Sequence, residues 1–197
     1  MFHEVPVLIA AIIAFVLFLL VLIVIVQRKR KQSAEFKMKA IIQPYIKQEE
    51  RQFIIPDGIG GLLEIEHLIL LEQGLLLIET YPMAGNLFGA ETIDQWTQIV
   101  DGRSYKFANP LRRLRTSRQA IKSLAPKIPV FCRVIFNSDS TFPKGKPEEV
   151  SVLGSLDEDM QTLGSEPQNA EQALQAWDSI MRIARKDGQA ITREGSF

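Results

Sequence analysis

Cysteine and histidine are nearly absent from this sequence, which has one cysteine and two histidines among 197 residues. A single cysteine excludes a framework of intrachain disulfides, and so few Cys and His residues exclude a zinc-finger type of site. The sequence also lacks the GxxxxGK phosphate-binding loop and the nucleophile elbow, which argues against P-loop NTPases and α/β-hydrolases. The one cysteine, Cys132, lies in the apolar run VFCRVIF and is predicted to be buried.

The sequence carries no net formal charge, with 23 Lys and Arg residues against 23 Asp and Glu residues. These charges are unevenly distributed, because residues 102–138 contain nine basic residues and no acidic one. The basic residues of this stretch are Arg103, Lys106, Arg112, Arg113, Arg115, Arg118, Lys122, Lys127 and Arg133. The asymmetry predicts one positive face on the folded domain.

A long apolar run without a charge occupies residues 5–26. Its length is about the 20 residues that a helix needs to cross the bilayer core, so it predicts a transmembrane helix. Basic residues follow in a short linker, residues 27–32, and the positive-inside rule predicts that this side stays in the cytoplasm. We therefore expect a single-pass protein of the inner (cytoplasmic) membrane, with its N-terminus outside, its soluble domain in the cytoplasm, and residues 28–31 beside anionic lipid.

The remaining chain is predicted to contain one domain at residues 33–153, a linker with an amphipathic helix at 154–187, and a flexible tail at 188–197. Alternating apolar residues bounded by turn residues predict several short strands within that domain. Together with the intervening helices they predict an α/β fold with a mixed central sheet of about four or five strands.

Two helix starts are predicted from capping residues. Ser33 is expected to begin a short amphipathic helix that places Glu35 in its first turn, and Pro44 is expected to kink or end that helix. Ser165 and Gln168 form a capping-box pattern that is expected to begin the last helix.

Residues 63–81, LEIEHLILLEQGLLLIETY, are predicted to form a β-hairpin with the central Gln-Gly pair as its loop. That loop would pair Glu66 with Tyr81 and leave Glu79 a diagonal neighbour of Glu66, about 5 to 8 Å away on the same face. Two carboxylates at this distance can bind one hard cation, such as Mg²⁺ or Mn²⁺, as metal-assisted hydrolysis requires. Acidic residues near strand ends are also commonly just solvated, and the hairpin alone does not decide between the two interpretations.

A second charged element follows, because Asn109 and Pro110 predict the start of a helix that extends to about Leu124. The residues of this helix that are expected to contact nucleic-acid phosphates are Arg112, Arg113, Arg115, Arg118 and Lys122. A basic helix face is often only solvated, and anionic lipid offers the same residues a similar ligand.

A series of motifs then points to a known family: EIEH with an apolar run, GLLLIET, a G-x-x-x-G pair, Trp96, Lys106-Phe107, Asn109-Pro110-Leu111, the helix that follows, and VFCRVIF. With these motifs in this order, the chain from about Ser33 to about Val152 resembles the NERD family, the nuclease-related domain. The resemblance implies a fold similar to the PD-(D/E)xK restriction-endonuclease core, and a metal-dependent nuclease site.

The resemblance also implies roles for individual residues. It assigns the two acids of the site to Glu66, which precedes His67, and to Glu79, and it places Glu35 where the family has a helix glutamate. Tyr81 stands where the family has its lysine, and Glu66 stands where the family typically has aspartate.

These two departures weaken the implied chemistry. A neutral phenol with a pKa near 10 supplies no positive charge to a developing phosphate charge. Glutamate in place of aspartate displaces the carboxylate by about one methylene, against a tolerance of about 0.5 Å. The sequence therefore predicts a membrane-anchored, catalytically weakened or inactive module that binds nucleic acid; the alternatives are an active Mg²⁺- or Mn²⁺-dependent DNA endonuclease and a module that binds anionic lipid or a protein.

Overall fold

The structure is a computed structural model that describes the backbone of residues 4–186. The side chains of residues 4–14 and 27–33 lie outside this description, and with them the predicted lipid-binding cluster at 28–31. The predicted tail at 188–197 also lies outside the described residues.

The chain forms two compact units, and the first, Met1–Lys39, consists of most of one long helix, α1 (Glu4–Ile42). The prediction of a separate helix beginning at Ser33 is wrong, because α1 continues through that position. No proline or glycine lies in the basic linker that precedes Ser33, so nothing there interrupts the helical hydrogen bonds. The predicted end near Pro44 is confirmed, because α1 ends at Ile42 and Pro44 lies in the short 3-10 helix Gln43–Tyr45 that follows.

The apolar part of α1 has exposed side chains throughout residues 15–26, each between 40% and 62% exposed. Among the residues that the structure describes, however, no helix has both the length and the apolarity to cross a membrane. The transmembrane helix predicted at 5–26 is therefore not confirmed, and part of it falls on residues whose side chains are not described.

The second unit, Ala40–Phe197, is an α/β domain with two sheets. Its strands are β1 (Gln48–Pro56), β2 (Leu62–Leu70), β3 (Leu75–Tyr81), β4 (Gly85–Phe88), β5 (Gln95–Val100), β6 (Arg103–Ala108), β7 (Val130–Phe136), β8 (Ser140–Thr141), β9 (Val150–Val152) and β10 (Arg185–Lys186). The larger sheet has the order β10-β1-β2-β3-β7-β9, and the smaller sheet has the order β6-β5-β4-β8. The α/β class and the mixed strand directions are confirmed, since β7 is parallel to both β3 and β9 while the other pairs of the larger sheet are antiparallel. The prediction of one sheet of four or five strands is wrong. The larger sheet has six strands, and β4, β5, β6 and β8 form a second sheet of four strands.

The hairpin of β2 and β3 lies in the middle of the larger sheet. Its pairs run from Leu70 with Leu75 to His67 with Ile78. The loop is Leu71–Gly74, closed by a hydrogen bond of 2.9 Å from the Leu71 N–H to the Gly74 carbonyl. The predicted two-residue loop at Gln73 and Gly74 is wrong, and the true pairing is displaced by two residues from the predicted one.

Three helices cover the larger sheet: α2 (Pro110–Leu124), α3 (Leu156–Gly164) and α4 (Ala170–Ile183). The predicted start of α2 is confirmed, because the Asn109 side chain accepts a hydrogen bond of 2.9 Å from the Leu111 N–H. Leu114 and Ile121 on its apolar stripe are buried in the core, and Trp177 of α4 joins the same core.

The predicted capping box at Ser165 and Gln168 is wrong. Ser165 instead ends α3, a helix that was not predicted, and its N–H and hydroxyl both donate to the Thr162 carbonyl. The last helix begins after Asn169, whose side chain makes no capping hydrogen bond. Ser165 is instead the C-terminal cap of α3, because a serine hydroxyl can also donate a hydrogen bond to a carbonyl of the last helical turn.

Candidate active site

The two acidic residues of the hairpin face each other across neighbouring strands. The pairing ends at His67 with Ile78, and the same register extended by one residue would align Glu66 of β2 with Glu79 of β3, rather than with Tyr81 as the sequence predicted. The displacement of two residues keeps every side chain on its predicted face, because strand faces alternate with a period of two. Side chains that oppose each other directly lie about 5 Å apart at Cβ, which is closer than the predicted diagonal.

The Glu66 carboxylate is held by the neighbouring strand. Beyond the pair of His67 with Ile78 no further β2–β3 pair forms, and the Thr80 N–H of β3 donates to Glu66 Oε1 at 3.0 Å. The Thr80 hydroxyl donates to the same oxygen at 2.5 Å. One carboxylate oxygen thus accepts two hydrogen bonds at the point where the backbone ladder stops.

Glu79 is the most strongly perturbed acid of the site. It is 3% exposed, and its burial raises its pKa from 4.5 to about 7. Arg113 of α2 opposes this increase, with its Nε 3.4 Å from Glu79 Oε1, and the Glu66 charge adds to it. A buried carboxyl group close to a second carboxylate is a common feature of functional sites.

Tyr81 follows two residues later on the same face and is half-buried. Burial, and then the charge of Glu79, raise the pKa of its phenol above 10. Its ring packs against Phe136, with 5.7 Å between the ring centroids. Tyr81, at the position where the resemblance predicted a lysine, is therefore a neutral hydrogen-bonding group.

The positive charge nearest to the acids comes from α2 instead. Arg113 reaches Glu79 from the helix, and Ser117 lies one turn further along the same face. Ser117 is 1% exposed, and among the described residues its hydroxyl has no hydrogen-bond partner. No local sequence pattern predicts the contact between Arg113 and Glu79, because the two residues are far apart along the chain.

The chemistry of the acid pair suits a hard divalent cation only in part. Glu66 and Glu79 offer two carboxylates, which is the number that Mg²⁺ commonly takes from a protein while it keeps several waters. Among the residues whose side chains the structure describes, no group of three or more His, Cys, Asp or Glu residues could hold a metal ion. The described contacts engage Oε1 of both carboxylates with protein donors.

The predicted phosphate-binding residues of α2 all have partners within the domain. Their ion pairs are Arg112 with Asp94, Arg113 with Glu79, Arg115 with Glu91, and Arg118 with Glu149. Lys122 donates to the Ile128 carbonyl at 2.5 Å. The stretch without acids is therefore balanced by acids from elsewhere in the chain, and its arginines present less free positive charge than the sequence suggested.

Three further titratable residues, Glu35, Asp57 and His67, lie outside the acid pair. Glu35 lies inside α1 and not in a first turn, so the helix N-terminus that an acid would complement is not there. Asp57 forms a turn, with its Oδ1 accepting from the Ile59 and Gly61 N–H groups at 2.9 and 2.8 Å. His67 is buried, and its Nε2 lies 2.9 Å from Glu49 Oε2 of β1, a contact that the sequence did not indicate.

Comparison with known proteins gives one family and one relative. The family model of the nuclease-related domain, NERD, matches residues 30–137, which is more than half of the chain. An uncharacterised protein of Bacillus anthracis is 29% identical over 65 residues, which cover 33% of this chain and 31% of that protein. The match therefore spans about a third of that relative's length. No solved structure matches the chain.

Proposed function

The chain belongs to the nuclease-related domain (NERD) family, and from this premise we propose that it is a nucleic-acid-binding module whose nuclease activity is weak or lost. One observation carries the proposal: one carboxylate oxygen of each acid is already engaged by a donor within the protein. Glu66 Oε1 accepts two hydrogen bonds from Thr80, and Glu79 Oε1 is paired with Arg113. A cation would have to compete with these donors.

The second support is the neutral phenol of Tyr81 beside the acid pair. A lysine there would offset charge that develops on the scissile phosphate, and electrostatic stabilisation of this kind commonly contributes about a hundredfold or more in rate. Burial raises the pKa of Tyr81 further, so the phenol stays protonated at neutral pH. It can donate one hydrogen bond but it cannot replace the charge.

The α2 arginines are proposed to contact the nucleic-acid backbone by exchanging carboxylate for phosphate. The side chains of Arg112, Arg115 and Arg118 are 60%, 46% and 45% exposed, so their ion pairs are open to solvent. Exposed pairs of this kind contribute only about 0 to 1 kcal/mol each. Phosphate contacts by Arg113 and Lys122 belong to the same proposal.

We propose membrane anchoring by residues 5–26 on two grounds. The run has no charged residue, and the twelve consecutive side chains of 15–26 are apolar and exposed. Such a surface requires cover by lipid or by another protein. In the proposed arrangement, the protein is single-pass in the inner membrane, the N-terminus is outside, the domain is cytoplasmic, and residues 28–31 lie beside anionic headgroups.

An active endonuclease is the second candidate, and the direct opposition of Glu66 and Glu79 favours it. Together these two residues would hold Mg²⁺ or Mn²⁺, which would supply Lewis-acid chemistry at a phosphate. In this candidate Arg113 provides the positive charge that Tyr81 lacks.

Nicking of supercoiled plasmid separates the two candidates. The full-length protein, purified in detergent, is incubated with Mg²⁺, with Mn²⁺ or with chelator, beside the Glu79→Gln variant and a Glu64→Gln control, which removes an exposed carboxylate of the same hairpin. We expect no metal-dependent nicking by any of them. Nicking that requires metal and disappears in Glu79→Gln alone would establish the active enzyme, while nicking that survives in Glu79→Gln would come from a contaminant.

Binding is tested in the same preparations by fluorescence anisotropy, with labelled DNA and anionic phospholipid vesicles as competitor. DNA that is bound and is not displaced by vesicles supports the proposal. Tight binding to vesicles without binding to DNA would replace it with the lipid module, and binding to neither would leave a protein partner as the ligand class.

A further inference from the structure

The smaller sheet has one face that turns away from the core. Phe88 of β4, Thr97 of β5 and Lys106 of β6 are consecutive register partners, so their side chains form a row across three strands on the same face. A second row on this face is formed by Asn86, Ile99 and Ser104, and Thr141 of β8 pairs with Asn86. We call this surface the outer face.

The opposite face of the sheet belongs to the core. Leu87 and Trp96 point there and are fully buried, and Trp96 packs edge-on against Phe107. Alternation along the strands therefore leaves the outer face to solvent. Its members are exposed except for Phe88 and Thr97, which are half-buried.

The outer face carries positive charge and no carboxylate. None of the residues that β4, β5, β6 and β8 contribute to it is Asp or Glu. Lys106 Nζ donates to the Thr97 hydroxyl at 2.9 Å, and Lys144 Nζ lies over the Phe88 ring, 6.0 Å from its centroid. The described contacts give neither lysine a carboxylate partner, in contrast to the four arginines of α2.

We propose that the outer face binds single-stranded nucleic acid, with a base stacked on Phe88 and with Lys106 and Lys144 on the flanking phosphates. This inference rests on the proposed function and names the surface and the ligand class. A base that stacks on this ring would take the place of Lys144 Nζ, which lies over it at 6.0 Å from the centroid, and Lys144 would then contact a flanking phosphate. Aromatic rings between cations on an open sheet are the general means of holding unpaired bases and their backbone.

The geometry favours a single strand over a duplex. In a duplex the base faces are already stacked on each other, so a ring on a sheet surface has no base face to meet. In a single strand every base offers a face regardless of its identity, so binding by this surface would be tolerant of sequence.

The test is fluorescence anisotropy of full-length protein with labelled oligo-dT, over a range of salt concentrations. The double variant Lys106→Gln, Lys144→Gln is expected to bind about tenfold more weakly, with a salt exponent lower by about 1.4, because each lost phosphate contact removes about 0.7. Phe88→Leu is expected to weaken binding about 5- to 100-fold without changing the salt exponent, and Phe88→Tyr is expected to retain binding. Lys127→Gln, which removes an exposed lysine outside this sheet, serves as the charge control.

The outcomes are separable once circular dichroism and thermal midpoints establish that the variants are folded. In one outcome, the Phe88→Leu and double-lysine variants bind as tightly as the wild type while the double variant Arg112→Gln, Arg115→Gln loses binding. That result would overturn this inference and leave the proposed function standing. Equal loss in Lys127→Gln, or duplex bound as tightly as oligo-dT, would also overturn it. A wild-type protein that binds no nucleic acid would refute the proposed function itself.

Discussion

Replacing Glu79 by glutamine should stabilise the protein at alkaline pH. The carboxyl group is 3% exposed, and its pKa in the folded protein is about 7 against an ordinary value of 4.5. Ionisation is therefore opposed by folding, mainly because burial removes water from the charged form. Glutamine has nearly the same shape and removes the buried charge.

The sign of the pH dependence follows from which state, folded or unfolded, binds the Glu79 proton more tightly. Because the folded state has the higher pKa, the contribution of Glu79 to stability is fully present below pH 4.5 and is lost as pH rises through about 7. The difference between 4.5 and about 7 corresponds to about 3 kcal/mol at about 1.4 kcal/mol per pKa unit. This value already includes the Arg113 pair, because Arg113 lowers the pKa of Glu79 and so opposes the effect of burial.

Urea unfolding of the full-length protein between pH 4.5 and pH 8, followed by the fluorescence of buried Trp96, measures this effect. The wild type should lose about 3 kcal/mol more unfolding free energy across this interval than Glu79→Gln does. Glu64→Gln, which removes an exposed carboxylate from the same hairpin, should not reproduce the effect. Identical pH dependence in the wild type and in Glu79→Gln would refute the assignment of a strained buried charge to this site.

Three further predictions concern the site and its support. Arg113→Met should raise the pKa of Glu79 above about 7 and Glu66→Gln should lower it, as measured by NMR of ¹³C-labelled glutamate; shifts in the opposite directions would contradict the described contacts. Cys132, whose thiol pKa is raised to about 12 by burial, should react with a disulfide reagent only after unfolding, and a fast reaction in the native protein at pH 8 would exclude that burial. Asn109→Ala should cost about 1 to 2 kcal/mol in urea unfolding, because it removes the α2 cap and the hydrogen bond from the Asn109 amide to the Ile93 carbonyl; an unchanged free energy of unfolding would contradict both contacts.

The hairpin illustrates what the sequence could and could not predict. The alternation of apolar and polar residues predicted the two strands and the common face of Glu66 and Glu79, because both features depend on local periodicity. The register depends on the loop, and the loop is fixed by distant groups: the Gln73 amide donates to the Gly164 carbonyl, and the Asn169 N–H donates to the Glu72 carbonyl. Those partners lie more than ninety residues along the chain from the loop, beyond any local pattern.

The charge pattern failed for a related reason. The helix of arginines was correctly predicted, but its neutralisation was not, because Asp94 and Glu91 precede the helix and Glu149 follows it in sequence. A local count of acids and bases reports which charged residues are close along the chain. It does not report which charged residues are close in the folded protein. Lys106 and Lys144 lack a described carboxylate partner. The sequence could not predict that they lie on one face of the smaller sheet, because that face is defined by the strand register.

The contribution of α4 to the core sets the boundary of the folding unit. The family match ends at residue 137, yet Trp177 and Ile180 pack into the same core as Leu68 and Leu77. β9 and β10 also complete the edges of the larger sheet after that position. The segment that the family shares is therefore not autonomous in this protein: cooperative folding requires chain as far as residue 186, and a fragment cut at the end of the match would expose the interior that α4 seals.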